Sequence, residues 1–301
     1  MAKARAIVKR RKAVRNIKKI TKTMQMIATA KFQKSLKRAT GSKPYTMKVR
    51  ELVAELAANL GHVDHPLLRQ PGAADQTNRI ALLVLTSNRG LAGAYNGSVL
   101  RTANQFIRKQ EAAGKTIELS VVGKKGISYF NFAKRPPSMK REAQDTPRFA
   151  DVDQLANEYI QKFIEGKIDA VYVAYMNFVS AGVQRAEVIS LLPLAGVEEA
   201  GAKPQAASGK GKILPVYEFL PSAKELLDEL LPQTVKTTLF QAFLDATTSE
   251  HVARMVSMKS ATDNADKMVK ALTMQYNRAR QSQITTELSE IMGGVEAMKG
   301  G

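Results

Sequence analysis

The residues best equipped for chemistry in this chain are few, and they stand in the wrong company. Gly114-Lys115-Thr116 matches the end of a phosphate-binding loop, yet the first glycine of that motif would fall at Lys109. The tripeptide also precedes a strand-like run, whereas a phosphate loop opens a helix whose backbone amides face the anion. Ser87 to Asn96 (SNRGLAGAYN) follows a strand and precedes a helix, so Gly90 and Gly93 could aim amides at an anion. Their spacing is not that of a dinucleotide fingerprint, and the next strand ends in Val122-Gly123-Lys124, without the acid a ribose would need. This segment is read as a tight turn exposing a basic loop. His62 and His65 flank Asp64 in a proline-bounded loop, a weak metal pattern, and His251 stands alone. No nucleophile has a base beside it. With zero cysteines, thiol chemistry and disulfides are excluded. The chain is expected to be neither an enzyme in its own right nor the holder of a metal or cofactor.

The elements that carry these residues alternate. Arg79 to Thr86 (RIALLVLT) reads as a strand, Asn96 to Ala113 as a helix, Ile117 to Val122 as a strand and Val152 to Phe163 as a helix. Asp169 to Phe178 and Gln184 to Leu192 read as two further strands. Such alternation predicts a parallel or mixed sheet flanked by helices. Residues 196–212 (GVEEAGAKPQAASGKGK) read as a flexible excursion, followed by an apolar run at Ile213 to Leu220 and then helix from Pro221 almost to the end. Gly41, Pro44 and Pro232 are expected to kink or interrupt the long helices. No stretch of about 18 uninterrupted apolar residues is present to span a membrane.

Charge is distributed unevenly. Residues 1–50 hold 17 lysines and arginines and no aspartate or glutamate, leaving 29 basic against 27 acidic side chains for the rest of a chain whose net charge is +19. The excess is therefore a local device, and its partner should be acidic: nucleic acid, an anionic membrane surface or the acidic face of a protein. Ile7, Val14, Ile17, Thr21, Met24 and Ala28, with Ile20 and Ile27, form an apolar stripe on this segment, while Arg10, Arg11, Lys12, Lys18, Lys19 and Lys22 cover the rest. Like charges at i,i+4 repel, so the helix needs support from packing. A partner lies near the other terminus. Met255, Met258, Thr262, Ala265, Val269, Leu272, Tyr276 and Ala279 recur in alternating steps of three and four, the pattern of a coiled-coil seam. Met and Ala make that seam packed but adaptable. A straight helix of about 50 residues would reach about 75 Å at about 1.5 Å per residue. The basic segment has only Phe32 and Tyr45 as aromatics, which weakens a nucleic-acid reading without removing it. Its apolar face offers Met, Ala and Thr in place of the bulky groups that seat a helix in a bilayer surface.

Four stretches, in order along the chain, carry a resemblance: Lys19 to Ala28 (KITKTMQMIA), Ser87 to Asn96, Ser249 to Lys259 (SEHVARMVSMK) and Ile284 to Ile291 (ITTELSEI). Together they resemble the gamma subunits of F-type ATP synthases. The resemblance implies an α/β protein: an antiparallel coiled coil of long N- and C-terminal helices with an inserted Rossmann-like α/β domain. Its divisions would be a shaft helix at 1–60, a foot domain at 75–220 and a second shaft helix at 221–301. The implied role is that of a rotor that couples ion-driven turning of a membrane ring to conformational cycling of catalytic beta subunits. Implied partners are the alpha and beta subunits, the epsilon subunit and the membrane ring, with the chain peripheral on the cytoplasmic face of a bacterial membrane and not inserted in it. Residue by residue, Met24, Lys31, Arg254, Gln281, Thr285 and Glu287 match positions that contact or support alpha and beta, and Arg89 and Gly90 match a loop presented to a beta lever. Asn88 departs from the family's usual acidic residue, and Val295 replaces a small residue. No cysteine-bearing insertion is present, so thiol control is not expected.

Overall fold

The computed structural model describes residues 2–60, 65–68, 77–194 and 223–299. The excursion at 196–212, the apolar run at 213–220, and His62 with Asp64 lie outside the described residues. Two long helices, α1 (Ala2–Leu60) and α5 (Ala223–Lys299), contribute to two compact units. One unit comprises residues 31–253; the other joins the chain up to Ala30 with the chain from Arg254 onward.

The 31–253 unit is built on a sheet of β1 (Arg79–Leu85), β2 (Thr116–Val122), β3 (Met139–Arg141), β4 (Ala170–Phe178) and β5 (Gln184–Leu192), ordered β3-β2-β1-β4-β5. The first four are parallel and β5 is antiparallel. Connections run through α2 (Tyr95–Ala112), α3 (Lys124–Phe132) and α4 (Phe149–Ile164). β1 is buried at every residue after Arg79, because a parallel sheet is covered on both faces and needs a continuous apolar run. On one face Leu82, Val84, Leu119 and Val121 meet Val99, Ala103 and Ile107 of α2 and Phe130 of α3. On the other, Ala81, Leu83, Val171 and Val173 meet Leu155, Tyr159 and Phe163 of α4, together with Leu227, Leu231, Val235 and Leu239 of α5. The strand order reverses between β1 and β4, so the loop from Ser87 leaves the sheet at its topological switch point.

The prolines do not interrupt the long helices. α1 runs through Gly41 and Pro44, and α5 through Pro232. Proline in a helix interior costs about 3 kcal/mol. Tertiary contacts on both sides of each proline offset that loss. Past Pro44, Val49, Val53 and Leu56 are buried; before it, the Ser42 hydroxyl donates to Gln241 Oε1 at 2.6 Å. Pro232 sits between the fully buried Leu231 and Val235.

Beside that contact lies a buried acid. Gln241 Nε2 donates to Asp245 Oδ1 at 3.0 Å, and burial pushes the Asp245 carboxyl up to about 6, opposed by the charge of Lys43 and reinforced by Glu187. A folded-state value above the unfolded 3.8 means that ionisation opposes folding: the contribution of this one group is fully present below 3.8 and is lost as pH rises through 6. Asp245→Asn should therefore stabilise the chain above pH 6 by up to about 3 kcal/mol, at about 1.4 kcal/mol per unit. Urea unfolding from pH 4 to 8 checks this, and a variant-minus-parent difference that does not grow between pH 4 and 6 would refute it.

The second unit is an antiparallel helix pair. On α5, Met258, Thr262, Ala265 and Leu272 are buried and Met255, Val269, Tyr276 and Ala279 are half-buried, so the expected seam is the packed one. On α1 the stripe is narrower than its apolar residues suggest. Val14, Thr21 and Ala28 are buried seven apart, but Ile17, Ile20 and Ile27 are more than half exposed. The seam positions three residues before each buried one are Arg11, Lys18 and Gln25, all half-buried. A two-helix seam takes only two residues in seven, and long basic side chains can pack their stems while keeping their charges wet. Lys18 pairs with Asp266, whose carboxyl it holds below the usual range, and the Arg11 guanidinium lies 4.8 Å from the Tyr276 ring centroid. Thr21 and Thr262 hydroxyls meet across the seam at 2.9 Å.

Candidate functional site

The loop after β1 is held by its own side chains. The Ser87 N–H donates to Asn96 Oδ1 at 3.0 Å, and the Ser87 hydroxyl donates to Arg89 O at 2.6 Å. Leu91 and Gly93 both have positive φ, which turns the chain sharply into α2. An anion arriving here would find the first amide already engaged by Asn96, so the segment serves as a shaped turn that presents Arg89 and Gly90. The Gly114-Lys115-Thr116 segment is equally committed: Gly114, at φ +77, ends α2, with its N–H on Glu111 O at 2.9 Å and the Lys115 N–H on Gln110 O at 3.0 Å. Of the histidine loop, His65 Nδ1 accepts from the Leu67 N–H at 3.0 Å, a turn-forming role.

Asn88, which departs from the resembled pattern, has a part that an acid could not fill. Its Oδ1 accepts from the N–H groups of Ala143, at 3.0 Å, and Lys124, at 3.2 Å, while its Nδ2 donates to Ala143 O at 2.6 Å. The amide thus pairs with one residue through both halves, tying the Arg89 loop to the segment after β3 and to the start of α3. That segment is tied in turn to α1 by Lys31, whose ammonium meets Asp145 at 2.7 Å. The Lys31 hydrogen bond holds the Asp145 carboxyl low, aided by the charges of Lys31, Arg89 and His251. Asn88→Asp keeps the acceptors but sets an anionic oxygen against the Ala143 carbonyl. A loss of about 1–3 kcal/mol is expected, the range for a buried polar group left unsatisfied. Faster hydrogen exchange at the Ala143 and Lys124 amides would register it; unchanged exchange would contradict it.

Of the eight residues singled out in the sequence, the structure places Lys31, Arg89 and Gly90 in the sheet-bearing unit, Lys31 and Arg89 acting on the same carboxylate. Met24, Arg254, Gln281, Thr285 and Glu287 belong to the helix pair. There Met24 is half-buried and Arg254 largely buried, while Gln281, Thr285 and Glu287 are exposed. Arg254 and Gln281 are separated by 27 positions of one helix, about 40 Å at about 1.5 Å per residue. Within the helix pair the marked residues are thus spread along the helices and not gathered at one point. Sequence reading missed Asn88 and Asp145 as loop supports and the Lys18–Asp266 and Arg11–Tyr276 pairs; only the heptad spacing of positions 11 and 18 hinted at the latter.

The chain thus combines a cationic antiparallel helix pair with a Rossmann-like sheet domain. The comparisons narrow this. The family model described as ATP synthase matches residues 3–298. A gamma chain of ATP synthase from Rhodopirellula baltica is 44% identical over 301 residues, covering 100% of both chains. One from Leptospira biflexa is 38% identical, covering 99% of this chain and 100% of its own. The chain belongs to the ATP synthase gamma chain family, whose members are non-catalytic subunits of that complex. In fold it is similar to a chain of the Euglena gracilis mitochondrial ATP synthase (OSCP/F1/c-ring), with a TM-score of 0.65 at 20% identity over 99% of this chain and 95% of that one. A central-stalk chain from Tetrahymena thermophila gives a TM-score of 0.56 at 18% identity, covering 80% and 99%. The nucleic-acid reading of the basic segment finds no support among these relatives.

Proposed function

We propose that this chain is the central rotor of an F-type ATP synthase, turned by an ion-driven membrane ring and forcing the catalytic beta subunits through successive nucleotide affinities. Residues 1–60 and 221–301 act as its shaft and 75–220 as its foot, with alpha, beta and epsilon subunits and the ring as partners. It works as a peripheral subunit on the cytoplasmic face of a bacterial membrane; among the described residues no helix is long and apolar enough to cross one. The observation that carries the reading is the surface of the helix-pair unit. Its sequence holds 17 basic and five acidic residues, and Ile17, Ile20 and Ile27 stand exposed on the basic helix. Exposed apolar groups within a strong positive field suit a socket that is apolar inside and acidic at its lever segments. Exposed ion pairs are worth about 0–1 kcal/mol each, weak enough for one surface to pass another without being trapped. Torque requires that the shaft contact open and closed beta conformations unequally, since equal contact shifts no population. Met24, Lys31, Arg89, Gly90, Arg254, Gln281, Thr285 and Glu287 are the residues to which we assign those contacts or their support.

Mixing the chain with separately purified alpha and beta subunits tests this. A complex and steady ATP hydrolysis that both depend on the chain are expected; no association would end the proposal. Within that complex, Met24→Lys adds a cation to an already cationic shaft at a half-buried position. It should lower ion pumping per ATP hydrolysed more than it lowers assembly, and unaltered pumping per ATP would remove Met24 from the coupling path.

A further inference from the structure

A cleft of about 650 Å³ lies between α2 and α3, far along the chain from the terminal basic segment and unused by the rotor reading. Small-molecule sites span roughly 300–1,000 Å³. Arg101 and Arg108 project from one side of α2, seven residues and so about 10 Å apart along the helix, with Asn104 between them. Leu100 and Ile107 supply an apolar floor, and Tyr129 of α3 forms the facing wall. That wall is fixed: the Tyr129 hydroxyl meets Asn104 Nδ2 at 3.1 Å, and its ring packs edge-on against the buried Phe130.

The electrostatics of this corner favour an anion. Residues 97–135 hold eight lysines and arginines against two acids. Both acids are occupied: Glu111 accepts from Arg135, Nη2 at 2.9 Å, which holds its carboxyl below the usual range, and Glu118 pairs with Lys162. Among the described residues neither Arg101 nor Arg108 has an ion-pair partner. Guanidinium groups bind phosphate oxygens in paired hydrogen bonds, while an aromatic wall and an apolar floor accept a planar ring. Gly97, whose missing side chain would meet no atom within 4 Å, leaves the mouth open.

We propose that this cleft binds a phosphate ester carrying a planar ring, the chemistry of a nucleoside phosphate, with Arg101 and Arg108 on the phosphates and Tyr129 against the ring. The site is independent of the rotor reading, because it uses neither the helix pair nor the Arg89 loop.

The full chain alone, free of other subunits, is titrated with ATP and with tripolyphosphate at constant ionic strength. Equilibrium dialysis gives the affinities. The chain has no tryptophan, so Phe132→Trp, at an 89% exposed position one turn from Tyr129, adds a fluorescence reporter seen against no background. Saturable ATP binding is expected, weakened at least about tenfold in Arg101→Ala/Arg108→Ala, the loss expected when charge-assisted hydrogen bonds go. Gly97→Leu, which fills the mouth without touching charge or helix propensity adversely, should abolish it. Arg10→Ala/Lys12→Ala, in the terminal basic segment, should leave it within about twofold, since neither residue lines the cleft. Four results each overturn the proposal: no saturable ATP binding; tripolyphosphate binding as tightly as ATP; full affinity in Gly97→Leu; or an equal loss in the terminal double variant. Hydrolysis in the reconstituted complex is a separate readout, so failure here and failure of the rotor reading are distinguishable.

Discussion

Gly123→Ala should destabilise the sheet-bearing unit by more than about 3 kcal/mol, a large share of the roughly 5–15 kcal/mol that holds an ordinary domain together. Gly123 joins the end of β2 to α3 at φ +102, a backbone region that side chains rarely adopt. A Cβ there would lie 2.2 Å from Thr86 O and 2.5 Å from Thr86 C, both backbone atoms of the strand alongside. Nothing nearby can yield easily, because the Gly123 N–H is bonded to Arg141 O at 2.9 Å and the Thr86 N–H to Val122 O at 2.8 Å. Gly126, one turn into α3, offers an internal comparison. Its added Cβ would meet Thr86 Oγ1 at 2.6 Å, Val121 Cγ1 at 2.8 Å and Thr86 Cγ2 at 2.9 Å, all side-chain atoms and two of them of Thr86. In a Thr86→Ala background, Gly126→Ala should recover part of its loss, whereas Gly123→Ala should recover almost none. Urea unfolding of the four variants against Thr86→Ala decides it; a parental midpoint for Gly123→Ala, or equal rescue of both glycines, would sink the argument.

This crossing point also shows where sequence reading stops. The strands from Arg79, Ile117, Asp169 and Gln184 were legible because each is an apolar run bounded by turn residues, and burial on both sheet faces forces such runs. α3 and β3 were not. α3 has nine residues and opens with two lysines, and β3 has three residues, too few for any period to register. Both are fixed by neighbours distant in sequence, β3 by its pairing with Ser120, Val121 and Val122. The same holds for the candidate site. Asn88 reads as a departure when seen alone, and its meaning appears only when the Ala143 backbone is beside it, 55 residues on. Lys31 and Asp145 are 114 residues apart, a pairing that no local pattern announces. On α1 the error ran the other way. Apolar type suggests burial at Ile17, Ile20 and Ile27, but a heptad seam selects by position, and the positions three residues before Val14, Thr21 and Ala28 belong to arginine, lysine and glutamine.

Ending the chain after Ile284 should leave its own fold intact and yet lower its affinity for an alpha–beta assembly by at least about tenfold. The helix pair explains the first half. Contacts across the seam match Thr21 with Thr262, Lys18 with Asp266 and Arg11 with Tyr276, so the α1 partner is nearly exhausted by Ala279. From Thr285 onward every residue whose side chain is described is exposed, and the side-chain hydrogen bonds lost with them are exposed ones one turn apart on the same helix: Gln283 to Glu287, Thr285 to Gln281 O and Thr286 to Ser282 O. The second half follows from what the tail displays. Ile284, Leu288, Ile291, Val295 and Met298 are about half exposed or more, in steps of four and three. The stripe does not continue the seam: five residues from Ala279 to Ile284 turn the helix by about 140° at about 100° each. An apolar stripe in heptad register, rotated away from α1, the helix that the seam packs against, needs another surface, and a surrounding hexamer would provide one. Burying a single leucine-sized side chain is worth about 1.5–3 kcal/mol, and about 1.4 kcal/mol is tenfold in affinity, so tenfold is a floor. Unfolding midpoint and assembly affinity are measured on the same truncated chain. A lowered midpoint would place the tail in the chain's own fold, and full affinity would take Thr285 and Glu287 out of the set of partner contacts.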